Sequence, residues 1–144
     1  MNTPHREIGI IKLKSITQTK ETILKTSSCK AKGRKLQQYV AEQISNILNI
    51  PWGADELIRS RGMGQPGVDV PVLGKAKEKF PWSIECKNVE KLNLWDAIRQ
   101  ARDNQLDGTD WMLVVKKNHE SPVVVIDSMV FFKLFYRYLR ALSK

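Results

Sequence analysis

An α/β fold, a mixed central sheet flanked by helices in a single domain, is what this chain of 144 residues predicts. Three observations lead there. The length suits one domain with a core of useful size. The apolar period changes along the chain from helical to strand-like and back. The resulting order is helix, three strands, helix, two strands, helix, which interleaves the two element types as layered α/β domains do.

Taken in order, residues 1–31 alternate short apolar clusters (Ile8, Ile10, Ile11, Leu13, Ile16) with Lys, Thr and Ser. That pattern is open to a strand, a hairpin, or a basic arm that orders only on DNA or a partner subunit. The domain proper is expected over residues 32–144. Leu36, Val40, Ile44, Ile47 and Leu48 share one helical face, predicting a helix from about Arg34 to Leu48 that ends before Pro51. Ile58–Arg61 and Val68–Leu73 read as strands around a turn containing Gly62, Gly64 and Gly67, with Pro71 arguing for an edge or an early end. Trp82–Lys87 is the third strand. Leu94 to about Asn104 follows as a helix, stopped by Asp107-Gly108, with Trp95 and Ile98 expected in the core. Trp111–Lys116 and Val123–Asp127 are apolar enough for buried strands. Asp127-Ser128 offers an N-cap for a last helix through about Leu142. That helix carries Val130, Phe131, Phe132, Leu134, Phe135, Tyr136, Tyr138, Leu139 and Leu142, more apolar circumference than one core contact needs. Either it is deeply buried or its outer face docks a second subunit.

Lys and Arg number 24 against 15 acids, a formal charge of +9. Residues 1–35 hold nine of the cations and two of the acids, so +7 of that excess sits in the leader. A polyanionic partner follows, nucleic acid ahead of membrane, with a merely solubilising tail as the plain alternative. Cys29 and Cys86 are too differently placed for a structural disulfide, Cys86 being expected in the core; His5 and His119 are too isolated for zinc. The N-terminus lacks an apolar signal region, and no run of about 18 apolar residues occurs. An intracellular, cytoplasmic protein is expected, without membrane attachment.

The chemistry-bearing stretch is Ser83-Ile84-Glu85-Cys86-Lys87-Asn88. On a strand, Trp82, Ile84 and Cys86 point to one face, and Ser83, Glu85 and Lys87 to the other. Asp69 lies in a similar run, opposite Val68, Val70 and Val72. Neighbouring strands would bring Asp69, Glu85 and Lys87 to one point. Two carboxylates able to share Mg²⁺, with the Cys86 carbonyl as a third protein ligand, and a cation beside them suit phosphodiester hydrolysis. Lys87 would offset charge developing at the phosphate.

Asp69 followed after fifteen residues by Glu85-Cys86-Lys87 resembles the D…(D/E)xK signature of the PD-(D/E)XK nuclease superfamily. With Arg59-Ser60-Arg61-Gly62-Met63-Gly64 ahead of it, the stretch looks like Holliday-junction resolvases of archaea and their phage-encoded relatives, over roughly Lys32 to Asp127. The resemblance implies a restriction-endonuclease-like fold and a Mg²⁺-dependent endodeoxyribonuclease, with Mn²⁺ as substitute metal. It implies action on four-way DNA junctions as a homodimer. Relatives often carry a further acid on the first helix, four residues after a Lys-Gly pair. Here Lys32-Gly33 leads to Gln37, which can orient a water but adds no charge. Glu42 falls opposite the apolar stripe and reads as solvated. Gln100, on the helix after the ExK strand, is open to an active-site role or to plain solvent exposure. Arg34, Lys35, Arg59, Ser60, Arg61, Lys116 and Lys117 are candidates for phosphate contacts. The rival expectations are a nuclease of other specificity (restriction, repair or end processing) and a DNA-binding module of this fold without catalysis.

Overall fold

The computed structural model describes the backbone of residues 5–62 and 64–144, and side chains from Thr26 onward except Met63. The helices are α1 (His5–Leu48), α2 (Gly74–Lys79), α3 (Leu94–Asp103) and α4 (Ser128–Leu142); the strands are β1 (Trp82–Asn88), β2 (Asp110–Lys116) and β3 (Val123–Val125). The described residues form a small α/β domain on a mixed sheet in the order β1-β2-β3. β1 and β2 run parallel, with Glu85 opposite Leu113 and Lys87 opposite Val115, because α3 supplies the crossover that parallel neighbours require. β3 returns antiparallel to β2, Val114 facing Val124.

Each face of the sheet has its own core. On one side Leu36, Val40, Ala41 and Ile44 of α1 pack with Ile84 and Val114 and with Ile58, Val70 and Val72 from the chain ahead of β1. On the other, Ala97, Ile98 and Ala101 of α3 cover Trp111 and Leu113. The alternation predicted for β1 is therefore present, but its polar face is covered too. Ser83 is buried, its hydroxyl 2.7 Å from the Thr109 hydroxyl and accepting the Leu106 N–H at 2.9 Å.

Several expectations need correction. α1 begins at His5, not near Arg34, so described residues 5–31 are neither strand nor hairpin. Residues 1–4 of the expected arm, the side chains through Lys25, and Met63 of the basic turn lie outside the described residues. No proline interrupts residues 5–48, and extending a nucleated helix costs far less than starting one, so helix continues where amphipathic pattern does not. The helix closes on Asn49 at φ 53°, with the Ile50 N–H reaching back to the Ser45 carbonyl at 3.2 Å in a 6→1 bond.

The segments predicted as strands at Ile58–Arg61 and Val68–Leu73 do pair, through Leu73 N–H to Leu57 O, Arg59 N–H to Pro71 O and Arg61 N–H to Asp69 O. They do not form a full ladder. Pro71 has no N–H to return to Arg59, so the pairing reduces to an isolated bridge between Ile58 and Val72. The Asp69 N–H instead bonds the Ile84 carbonyl at 2.9 Å, attaching this hairpin to the edge of β1. Helix α2 was not foreseen, being too short to show a period. Ile47 and Trp95, both expected inside, are 69% and 66% exposed. Cys86 is only partly buried, packed against the α1-side core.

Helix α4 begins as predicted, the Asp127 carboxylate accepting the Met129 N–H at 2.9 Å. None of its residues is buried. Of the two readings open for it, deep burial within its own chain is the one the structure removes.

Candidate active site

β1 fixes the positions of Glu85 and Lys87, two residues apart on the face toward α3. Glu85 is 4% exposed, and a bare carboxylate there would be costly. Two neighbours offset that cost, and a third holds one of them in place. Lys87 Nζ stands 3.1 Å from Glu85 Oε1, and Asn104 Nδ2 donates to Oε2 at 3.3 Å. Gln100 Oε1 in turn accepts from Lys87 Nζ at 2.7 Å. Gln100 and Asn104 are four residues apart, one on α3 and one at its C-cap, so a single helix face holds both members of the Glu85–Lys87 pair.

Asp69 arrives from the hairpin. Its Oδ2 accepts the Cys86 N–H at 2.7 Å. Burial pushes its pKa from 3.8 up to about 6; the Glu85 charge pushes the same way, while the Cys86 hydrogen bond, Lys87 and Arg61 hold it back. The Cys86 thiol is pushed well up by burial and by the Asp69 and Glu85 charges, so its sulfur stays protonated.

These groups line one cavity of about 470 Å³ together with Gly33, Gln37, Gly64, Gln65, Pro66 and Gly67. Gln37 is buried from the α1 side, its Oε1 accepting from the Ser60 hydroxyl at 3.3 Å. Gly67, at φ +94°, makes room for Arg61: a Cβ there would lie 2.8 Å from Nη1 of the guanidinium, which donates to the Pro66 carbonyl. Asp69, Glu85, Cys86, Lys87, Gln37 and Gln100 are thus brought together. Glu42 is exposed, as the helical wheel implied.

The phosphate-contact candidates divide. Arg59, Ser60 and Arg61 line a second cavity, also about 470 Å³, which shares Gln65 with the first. Lys35 and Lys116 line a third. Arg34 and Lys117 are exposed and line none of the three. Asn104 is the participant that sequence reasoning missed. Its signal was its spacing of four from Gln100, hidden because the helix was expected to stop there.

The donor set suits a hard divalent cation. Two carboxylates converge, and the pKa of one is raised by burial and by its like-charged neighbour, a cost that a bound cation removes. Among the described residues no group of three or more His, Cys, Asp or Glu side chains is placed to hold a metal ion, so Asp69 and Glu85 are the two carboxylates this cavity offers one. Compared with protein-family models, curated proteins and solved structures, the chain finds no match.

Proposed function

We propose that the chain is a Mg²⁺-dependent, structure-selective DNA endonuclease that works as a homodimer on branched DNA, four-way junctions above all. The observation that carries this reading is the convergence of Asp69, Glu85 and Lys87 in one cavity, each held by a separate partner. Held by Asp69, Glu85 and the Cys86 carbonyl, Mg²⁺ would supply a Lewis acid for the phosphoryl oxygen and activation of water. Lys87 places an ammonium where charge grows as the phosphodiester breaks, and Gln100 stops it from collapsing wholly onto Glu85. Asn104 fixes the rotation of the Glu85 carboxylate. Gln37, tied to Ser60, presents an uncharged amide at the cavity wall.

The net charge of +9 and the Arg59/Ser60/Arg61 cavity beside the first support a polyanionic substrate. Helix α4 supports the dimer. Nine of its large apolar side chains, Met129, Phe131, Phe132, Leu134, Phe135, Tyr136, Tyr138, Leu139 and Leu142, are 41–65% exposed. At roughly 100 Å² each they offer about 900 Å², the share one partner contributes to a stable interface. A second copy is the occupant of matching size and character, and a twofold pair presents two active sites to the two equivalent strands of a junction. Among the described residues no helix is long and apolar enough to cross a membrane.

Cleavage assays on four-way junction, nicked, flapped and linear duplex DNA, with Mg²⁺ or with chelator, test the reading. Paired Mg²⁺-dependent nicks in the junction are expected. A protein that cuts linear duplex equally well would keep the nuclease and lose the resolvase; one that binds DNA and cuts nothing would be a binding module.

A further inference from the structure

The third cavity, of about 400 Å³, lies on the other side of the α1–β1 seam from the active site. The two are immediate neighbours: Gly33 and Lys87 line the first, and the adjacent Lys32 and Asn88 line the second. Leu36, itself buried, Pro122 and the ring of Tyr39 give it apolar walls, while Lys35, Lys116 and His119 add cationic or hydrogen-bonding groups. Its walls are tied together. Lys32 Nζ donates to Asn118 Oδ1 at 2.9 Å, Asn88 Nδ2 donates to the Lys32 carbonyl at 3.3 Å, and the Asn118 N–H meets Glu90 Oε1 at 2.7 Å. His119 is held at φ 62°, a conformation seldom adopted without glycine, in the turn that closes the cavity. Lys116 Nζ is anchored on the Lys117 and Glu120 carbonyls, which leave its charge uncompensated. Among the described residues the ion pairs are Lys87–Glu85 and Arg99–Asp96, so none of the cavity's cations is neutralised by one.

We propose that this cavity is a nucleotide subsite. It receives one unstacked base of a DNA strand against Tyr39, with the flanking phosphates on Lys35 and Lys116. An apolar slot with an aromatic wall and a cationic rim is the arrangement that binds single strands without reading sequence. Tyr39 lines the cavity and is 44% exposed, so it is within reach of a bound base. A continuous duplex keeps its bases stacked and cannot fill the slot, whereas a branch point or a frayed strand can. The subsite therefore gives the neighbouring active site a physical basis for preferring branched over linear DNA. The choice of ligand rests on the DNA-nuclease reading; binding in the cavity does not depend on cleavage.

The test is fluorescence anisotropy with labelled single-stranded, four-way-junction and linear duplex DNA, in chelator so that nothing is cut. Tyr39→Ala should weaken single-strand and junction binding by ~10-fold and linear duplex binding far less. Tyr39→Phe, which keeps the ring, should bind as the native chain does and controls for folding. Lys35→Gln with Lys116→Gln should flatten the salt dependence of single-strand binding. Tyr39→Ala within twofold of native on every DNA, or an equal loss on all three, overturns the subsite, and the native chain's Mg²⁺-dependent cleavage then judges the nuclease reading separately. Native protein that binds single strands through Tyr39 yet never cuts keeps the subsite and loses the nuclease. Saturable binding of free dAMP that Tyr39→Ala abolishes, with DNA binding unchanged, assigns the cavity to a free nucleotide and overturns the strand.

Discussion

Replacing Asp69 by Asn should stabilise the metal-free protein at alkaline pH and make it blind to Mg²⁺. In the folded chain burial holds the Asp69 pKa at about 6 against 3.8 unperturbed. Two units correspond to about 3 kcal/mol, and the solvent that reaches this cavity lowers the effective figure to about 1–2 kcal/mol. Because the folded pKa is the raised one, the native state binds the proton more tightly. Asp69 therefore contributes fully below about pH 4, and that stability drains away as pH rises from 4 through 6. Asn keeps an oxygen for the Cys86 N–H and carries no charge to bury. At pH 8 without metal, Asp69→Asn should melt about 5 °C above the native chain, and at pH 4 the two should coincide. Millimolar Mg²⁺ should raise the native melting temperature at pH 8, less at pH 5, and leave the variant unmoved. Differential scanning fluorimetry over a grid of pH and Mg²⁺ makes the comparison. Coincident curves at pH 8, or an equal Mg²⁺ response in both proteins, would refute the cost assigned to burying this carboxylate.

Three further outcomes are expected. Glu85→Gln and Lys87→Ala should each slow junction cleavage by at least about 100-fold while DNA affinity stays within a few-fold, measured by single-turnover kinetics and anisotropy; full activity in Glu85→Gln removes the central claim. The native chain should sediment as a dimer at micromolar concentration, and Phe131→Glu with Phe135→Glu, which charges two rings stacked 6.2 Å apart, should give a folded monomer; a native monomer ends the dimer proposal. Deleting residues 1–31 should flatten the salt dependence of DNA binding without unfolding the body, since among the described side chains of α1 those from Thr26 to Lys35 are not buried and Leu36 is the first that is; an unchanged slope would make the leader inert.

What the sequence could disclose follows from how local each determinant is. Alternation in Trp82–Lys87 is local, and it placed Glu85 and Lys87 on one face. The cap at Asp127 and the i, i+4 run of Leu36, Val40 and Ile44 are local as well. Where long-range geometry decides, the residues were silent. Ile47 and Trp95 fit their stripes by periodicity, yet each stripe is wider than the surface it packs on, so these two fall outside. Pro71 hinted at an edge, but not that Asp69 would bond to β1. Asn104 and Tyr39 acquired their surroundings only when α3 and α1 were laid against β1, which no spacing within either helix encodes. The assignment to a restriction-endonuclease-like fold rests still on the D…ExK residues themselves.

The Cys86 N–H, which in a regular ladder would end on a main-chain carbonyl, ends instead on the Asp69 side chain. That makes the two acids unequal in what their loss disturbs. Glu85 answers only to other side chains, Lys87 and Asn104, and an amide could take its place with the architecture intact. Asp69 rivets a hairpin, and with it the loop carrying Gly64 to Gly67, to the border of the sheet. If the chain is the nuclease proposed, a lineage that abandoned hydrolysis under mutational drift while keeping affinity for nucleic acid would shed Glu85 early and keep an acceptor at position 69 long afterwards. A laboratory effort to build a non-cutting binder from this scaffold has the same ordering to respect.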